Sequence, residues 1–535
     1  MCDVTKENFN RIFPTIEWSI RNSEFIAIDG EFTGLSTSNT FEPTLFDTPK
    51  ERYAKLKRSL SKFTLCQLGL ACFVRSTKIE NSYDTYVFNI YSCPASFGSI
   101  DSKFTCQASA LKFLTEHHFD FNKFVKEGVP YLNRDQRVVL YEHHKAGMAI
   151  PSMLLKQIDD KYVKPIIKLI EEFLVSDLKN DHLELPYIPN GIELYVVLRS
   201  IEKRFTNLEC SFNEDDKIAI TRVLDEKQKV VFEPLYEKIL QDTVGVSRVL
   251  DLIAECKKPL IGHNFLGDLI MIYERFFHRL PQDYHQFKKR IHDNFHQIFD
   301  TKHIANNLRR EFRDLNFPDF TNLQDLFTYF SRSEGFHHRI YTPKFILNDI
   351  CKKYESGDHP HEAGFDAYST GFIFLRMAHL LATKNIKLTD EKPLDLTDHF
   401  YVLKIFVDGI NMSRAAVRHV NLNGDDPPST LPERFIVRSR KKKKPLSANQ
   451  VAQDFLPFGS VDVRLRSNNE AIIAVSHRKR AKNLVKAFAM NKFYIVEEYD
   501  WWKHSKEASK LRLSGSVTVT ILSLATVVYL WKRYQ

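Results

Sequence analysis

Phe25-Ile26-Ala27-Ile28-Asp29-Gly30-Glu31-Phe32-Thr33-Gly34-Leu35 is the stretch whose reading decides the fold. An apolar run of strand type ends in two carboxylates. Strand residues alternate faces, so Asp29 and Glu31 project to the same side. Two like charges held side by side repel unless a cation lies between them, and hard divalent cations take oxygen ligands. Asp-Gly is also a common hairpin turn. On its own, then, the stretch leaves a turn and half a metal site both open.

Working outward, a polar loop at 36–49 leads to a basic helical pattern at 51–63. Residues 65–74 and 86–90 read as two further strands, and 107–118 as an amphipathic helix. From 151 to 243 helical patterns rich in Lys, Glu and Asp dominate, which predicts a helical insertion. Alternation then resumes: a helix at 249–255, a strand and turn at 259–264, a helix at 266–277, a strand at 297–300, and a helix from near His361 to about 383. Strands interleaved with helices predict an α/β fold whose mixed sheet is flanked by helices. Its core would be split into 1–150 and 244–395, with a linker at 396–430. Residues 431–500 then carry the order βαββαβ of a ferredoxin-like or RNA-recognition-type domain.

The net charge of +9 is unevenly placed. Residues 431–512 hold 19 Lys/Arg against 8 Asp/Glu, so the first 430 are net acidic. The basic end suits a polyanion or an anionic membrane surface. Eight cysteines without a C-x-x-C pair argue against a zinc module and a disulfide framework. Asp3, Lys6 and Glu7 interrupt the N-terminus before any apolar run, so no secretory signal is read and a reducing, cytosolic setting is expected. After a basic segment at 501–512, residues 513–531 carry no charge. That length spans a bilayer as a helix, and Trp531, Lys532 and Arg533 would close it as interfacial anchors. Val517-Thr518-Val519-Thr520 alternates as a buried strand would, but length and position favour a transmembrane tail anchor with the rest of the chain facing the cytosol.

Three more segments bear on Asp29 and Glu31. In Leu260-Ile261-Gly262-His263-Asn264-Phe265-Leu266-Gly267-Asp268 a strand and tight turn bring Asp268 to the first turn of a helix, where an Asp is also an ordinary starting residue. In His361-Glu362-Ala363-Gly364-Phe365-Asp366 the His and the last Asp are too far apart for one helical face, which puts His361 before the helix or in its first turn. Asp300, in Phe299-Asp300-Thr301-Lys302, reads as a helix cap. Taken together, Asp29, Glu31, Asp268 and Asp366 are four carboxylates able to hold two Mg²⁺ ions about 3.5–4 Å apart. His361, titrating near neutrality, could take the proton of an attacking water.

This set resembles the DEDDh 3′→5′ exonucleases, whose RNase H-like fold matches the α/β reading. Asp-Gly-Glu-Phe-Thr-Gly-Leu, Phe-Thr-Leu-Cys-Gln-Leu-Gly-Leu, Gly-His-Asn-Phe-Leu-Gly-Asp, Phe-Asp-Thr-Lys and His-Glu-Ala-Gly-Phe-Asp-Ala-Tyr look like the blocks of the poly(A)-specific ribonuclease (PARN) family. The resemblance implies that Asp29, Glu31, Asp268 and Asp366 are metal ligands for two Mg²⁺ ions, with Mn²⁺ able to substitute, and that His361 is the general base. Asp29 would bridge the ions, Glu31 would hold the one beside the nucleophile, and Gly30 would keep room between them. A tyrosine in place of this histidine would stand at 362, where the chain has Glu362. Two departures stand out. The insertion lacks the Arg-x-x-x-His spacing of the family's nucleic-acid-binding module, and 470–475 lacks the stacking aromatics of an RNA-recognition sheet. With the apparent anchor, the chain resembles the membrane-bound PARN-like domain-containing (Trimmer) branch. This implies trimming of single-stranded 3′ ends on PIWI-bound precursor piRNAs, with release of 5′-mononucleotides. It also implies a PIWI-type Argonaute and a membrane Tudor-type scaffold as partners and a homodimer like PARN's. The membrane would be the mitochondrial outer membrane, with the endoplasmic reticulum as the alternative. The rival readings are an mRNA poly(A) deadenylase, a DNA-directed enzyme of the same fold, and an inactive RNA-binding membrane scaffold.

Overall fold

In the computed structural model the described residues run from 3 to 508, omitting 37–41, 149, 176–181, 214–216, 224–231, 316, 320, 333–340, 358, 386–392, 430–432, 441–444, 477–480, 482 and 506–507. They form two compact units. The larger comprises Met1–Glu42, Tyr53–Asn411 and His419–Asp426; the smaller comprises Pro43–Arg52, Met412–Arg418 and the described part of Pro427–Gln535.

The strands used below are, in chain order, β1 (Asp3–Val4), β2 (Phe25–Phe32), β3 (Leu65–Arg75), β4 (Ser82–Pro94), β5 (Val129–Tyr131), β6 (His182–Glu184), β7 (Leu208–Phe212), β8 (Ile218–Arg222), β9 (Leu260–Gly262), β10 (Ile298–Asp300), β11 (Lys344–Leu347), β12 (Gly409–Asn411), β13 (His419–Asn421), β14 (Glu433–Ser439), β15 (Val461–Ser467), β16 (Glu470–Val475) and β17 (Tyr494–Glu498). The central sheet of the larger unit runs β1-β4-β3-β2-β9-β10, with β5 and β11 also paired to β4. β3 is antiparallel to both its neighbours, β2 and β4, whereas β9 joins β2, and β10 joins β9, in parallel. The sheet is therefore mixed. β3 is buried along almost its whole length, as expected of a central strand covered on both faces.

Helix Ala363–Asn385 lies across β2 and β3 and closes the main core. Phe25 of β2 stacks on Phe73 of β3 with ring centroids 4.5 Å apart, and Phe374 of the helix packs on Phe25 at 5.4 Å. Phe25 and Ala27 are fully buried in this core. The two-residue period of the strand therefore sets Asp29 and Glu31 on the same face, continuing the apolar row to its polar end.

The stretch 151–243, expected to be helical, also folds a three-stranded antiparallel sheet in the order β6-β8-β7. With helices Lys164–Val175, Ile192–Arg204 and Glu233–Val244 it makes a hydrophobic cluster distinct from the main core. In the smaller unit four antiparallel strands run β15-β16-β14-β17. Helices Ala448–Phe455 and Leu484–Phe488 supply the buried residues of one face.

The expected membrane-spanning helix is not upheld. Among the described residues no helix is long and apolar enough to cross a membrane. The 23-residue helix Ala363–Asn385 has the length, but Asp366, Arg376 and Lys384 mark it as a helix of a protein core. Residues 513–531 lie outside the described residues. Among the described residues the fold is an α/β fold with no membrane-crossing helix, so neither the expected transmembrane helix nor the tail-anchored localisation is supported there.

Candidate active site

β2 carries its carboxylates at its C-terminal end, opposite β3 in the register Asp29↔Gly69 and Glu31↔Gln67. On its other side β9 runs parallel, with Leu260 and Ile261 opposite Ile26 and Ala27. Parallel neighbours finish at the same edge of a sheet, so the turn after β9 delivers helix Leu266–Ile272, and Asp268 in its first turn, beside Asp29. The Gly30 backbone holds the Asp268 acid down against its burial, and Asp268 Oδ1 lies 3.3 Å from where a Cβ on Gly30 would stand. A side chain at Gly30 would crowd the acid.

The fourth acid comes from the start of helix Ala363–Asn385. At Gly69 a Cβ would overlap the Ala363 carbonyl, so only glycine lets the helix start against β3 this closely. Two strand side chains satisfy the helix's first free amides. Gln67 Oε1 accepts from Ala363 N at 3.0 Å, and Asn89 Oδ1 from Gly364 N at 3.2 Å; both side chains are buried. They do the work of a cap residue. Asp366 then lies one turn inside the helix, and His361 just before it with φ +64°, outside the usual range for a residue with a side chain. That backbone costs about 1–2 kcal/mol, and its N–H donates to Asp366 Oδ2 at 3.2 Å.

Potential ligand atoms of Glu31, His361 and Asp366 all lie within 4.8 Å of one another. Electrostatics ties the remaining acids to them. Burial, and then Asp268, pushes Asp29 well above the usual carboxylate range. Glu31 is raised by burial and by Asp29, Asp366 and Asp268. Burial and Asp29 likewise raise Asp366. Asp268 is pushed up to about 7, chiefly by burial and also by Asp300. His361 is lowered by burial and by the neighbouring His117, and so favours its neutral form. All five residues predicted from the sequence are thus brought to one edge of the sheet. Oxygen donors that are short of solvent and repel one another are the donor set a hard divalent cation fits.

Asp300 lies apart from this work. It caps helix Thr301–Glu311, and its fully buried carboxylate accepts backbone N–H groups from Asn264, Phe265, Lys302, His303 and Asn411. It thereby pins the turn that aims Asp268. Sequence reasoning missed Gln67 and Asn89, whose signal was a polar residue inside an otherwise apolar strand. It also missed Phe113 and His117, whose rings meet His361 at 4.8 and 4.1 Å. Nothing in the local pattern around 113–117 points to a residue at 361.

Comparison with known proteins shows the class of this site. The profile of the CAF1 family ribonucleases matches residues 4–374, a span that includes all five site residues. Poly(A)-specific ribonuclease PNLDC1 of Mus musculus is 30% identical over 535 residues, covering 98% of each chain. The pre-piRNA 3′-exonuclease trimmer of Bombyx mori is 29% identical, again over 98% of each chain. Poly(A)-specific ribonuclease PARN of Homo sapiens is 27% identical over 95% of this chain and 81% of that one. The site therefore belongs to an RNA-cleaving enzyme. The chain is a member of the CAF1 family of ribonucleases, in its PARN-like part, and is a 3′→5′ exoribonuclease acting on RNA.

Proposed function

We propose that this enzyme trims the 3′ ends of precursor piRNAs held by a PIWI-type Argonaute, releasing 5′-mononucleotides with Mg²⁺ as its cofactor. The observation that carries the chemistry is the convergence of Asp29, Glu31, Asp268 and Asp366 with His361 at one sheet edge. The choice of substrate is supported by full-length similarity to a protein named for pre-piRNA 3′ trimming. The four carboxylates would hold two Mg²⁺ ions, with Mn²⁺ as a substitute. When bound, such ions lower the pKa of water and neutralise charge on the departing 3′-oxygen.

The chain's own residues do the rest. His361, favoured as the neutral imidazole, accepts the proton of the attacking water on a ring nitrogen. Asp366 receives the His361 backbone N–H and so fixes the base relative to the acids. Gly30 keeps the space beside Asp268 free of a side chain. Deadenylation of mRNA is the second reading, favoured by the similarity to PARN.

The test is incubation with 3′-extended RNA, free and bound in a PIWI-type Argonaute, with Mg²⁺ and with chelator. The expected result is Mg²⁺-dependent release of 5′-mononucleotides that stops at the Argonaute-protected length on mixed-sequence ends. Activity confined to poly(A) tails would favour deadenylation, and release undiminished by chelator would refute the metal assignment.

A further inference from the structure

His361 is not held by its own helix alone. Its ring packs against the end of helix Ala108–Glu116: the His117 ring lies 4.1 Å away, tilted by 55°, and Phe113 meets it edge-on at 4.8 Å. Phe113 and His117 also touch each other, 4.6 Å between ring centres. His117 is the residue at which this helix stops, and its backbone N–H bonds back to the last turn, so the ring has a fixed base.

The start of the same helix is bonded to the chain leaving β2. Gln107 N donates to Thr33 O at 2.8 Å, and Gln107 Oε1 accepts from Leu35 N at 3.0 Å and Ser36 N at 3.2 Å. The segment that presents Asp29 and Glu31 therefore also locates, a few residues later, the helix whose far end touches His361. A second connection between the acids and the histidine is built this way, independent of the Asp366 hydrogen bond. An imidazole on a left-handed backbone ahead of its helix needs such a contact, because catalytic geometry must be held to a fraction of an ångström.

We propose that His117 is a positioning residue for the exonuclease reaction: its ring holds the His361 imidazole over the acidic cluster. The proposal rests on the reading of His361 as general base. Ring-to-ring contact carries the effect, so a phenyl ring at 117 serves and an alanine does not.

The experiment uses the full chain with Mg²⁺ and a single-stranded RNA, comparing wild type, H117A, H117F, H361A and H117A/H361A. H117A is expected to lower kcat about tenfold, the scale of one lost aromatic contact, with KM within about twofold of wild type and no change in melting temperature. H117F should recover most of kcat. In the H361A background the further change H117A should cost nothing, because two residues acting through one group are not additive. A wild-type kcat for H117A, a loss confined to KM, or losses that multiply in the double variant would overturn the proposal. Wild-type kcat in H361A would overturn the base assignment beneath it, an outcome distinct from the first three.

Discussion

Asp268→Asn should make the cation-free protein more stable while abolishing its activity. In the unfolded chain an Asp titrates near 3.9; in the fold, burial and the nearby Asp300 push Asp268 up to about 7. The native state thus binds a proton that the unfolded chain has already released. Stability from this group is full below about pH 4 and is lost as pH rises through about 7. About three pKa units at 1.36 kcal/mol each set a ceiling of about 4 kcal/mol at pH 8. Asparagine keeps the size and a side-chain oxygen of Asp268 and removes the charge, so the variant recovers part of that energy. For a unit of this size the midpoint should rise by about 5 °C. The assay is thermal unfolding in chelator at pH 8 and at pH 5, followed by titration with Mg²⁺. At pH 5 the gap should narrow to about a third, because the native acid is protonated there and only about one pKa unit separates that pH from the unfolded value. Mg²⁺ should close it from the other side, since a ligand binding only the native wild type stabilises it by mass action. A D268N midpoint at or below wild type at pH 8, or a gap of equal size at pH 5, would refute the reasoning.

D29A and D366A should each remove Mg²⁺-dependent nucleotide release without unfolding the protein, as checked by single-turnover kinetics beside circular dichroism. Gln67→Leu strands the buried Ala363 N–H, which costs about 1–3 kcal/mol. A lower urea midpoint together with reduced kcat is expected, because the same helix start carries Asp366. In the smaller unit, Arg52 and Asp47 form a buried pair at 3.0 Å, and Arg52 also donates to Ser413 O. R52A should cost about 3–5 kcal/mol, read as an earlier unfolding transition by calorimetry.

The acidic residues were legible because their chemistry is local. The i, i+2 pair on a strand end and an Asp in the first turn after the neighbouring strand are both short-range patterns, and each sits in the structure where its spacing put it. His361 before its helix follows from the five-residue step to Asp366. What escaped were relations between distant segments. β6 is three residues long, too short for a two-residue period to register within a helical-looking stretch. The Gln107–Thr33 and His117–His361 contacts join segments that share no pattern. Residues 513–531 read as a spanning helix on length and hydropathy, and they lie outside the described residues.

The smaller unit shows how far strand order alone can mislead about RNA contact. Its βαββαβ order prompts comparison with RNA-recognition domains, where the open sheet face stacks bases on aromatic side chains. Here part of that face is covered by the chain itself. Leu45 and Phe46, 6% and 8% exposed, pack on Ala474 and Ile472 of β16. The Arg464 guanidinium lies 4.7 Å from the Phe46 ring centre and that of Arg434 5.9 Å. Leu45 N donates to Asp462 of β15 at 2.7 Å. A stacked base contributes about 1–3 kcal/mol. Burying Phe46 contributes about 1.5–3 kcal/mol, and each cation–π contact at a partly exposed site adds about 0.5–1 kcal/mol. A base entering this face would displace an occupant worth at least as much as itself. Arg438, on the same face, is engaged by Glu470 and Glu497 at 2.7 and 3.0 Å. A base stacking on the patch that Phe46 covers would therefore gain little net affinity.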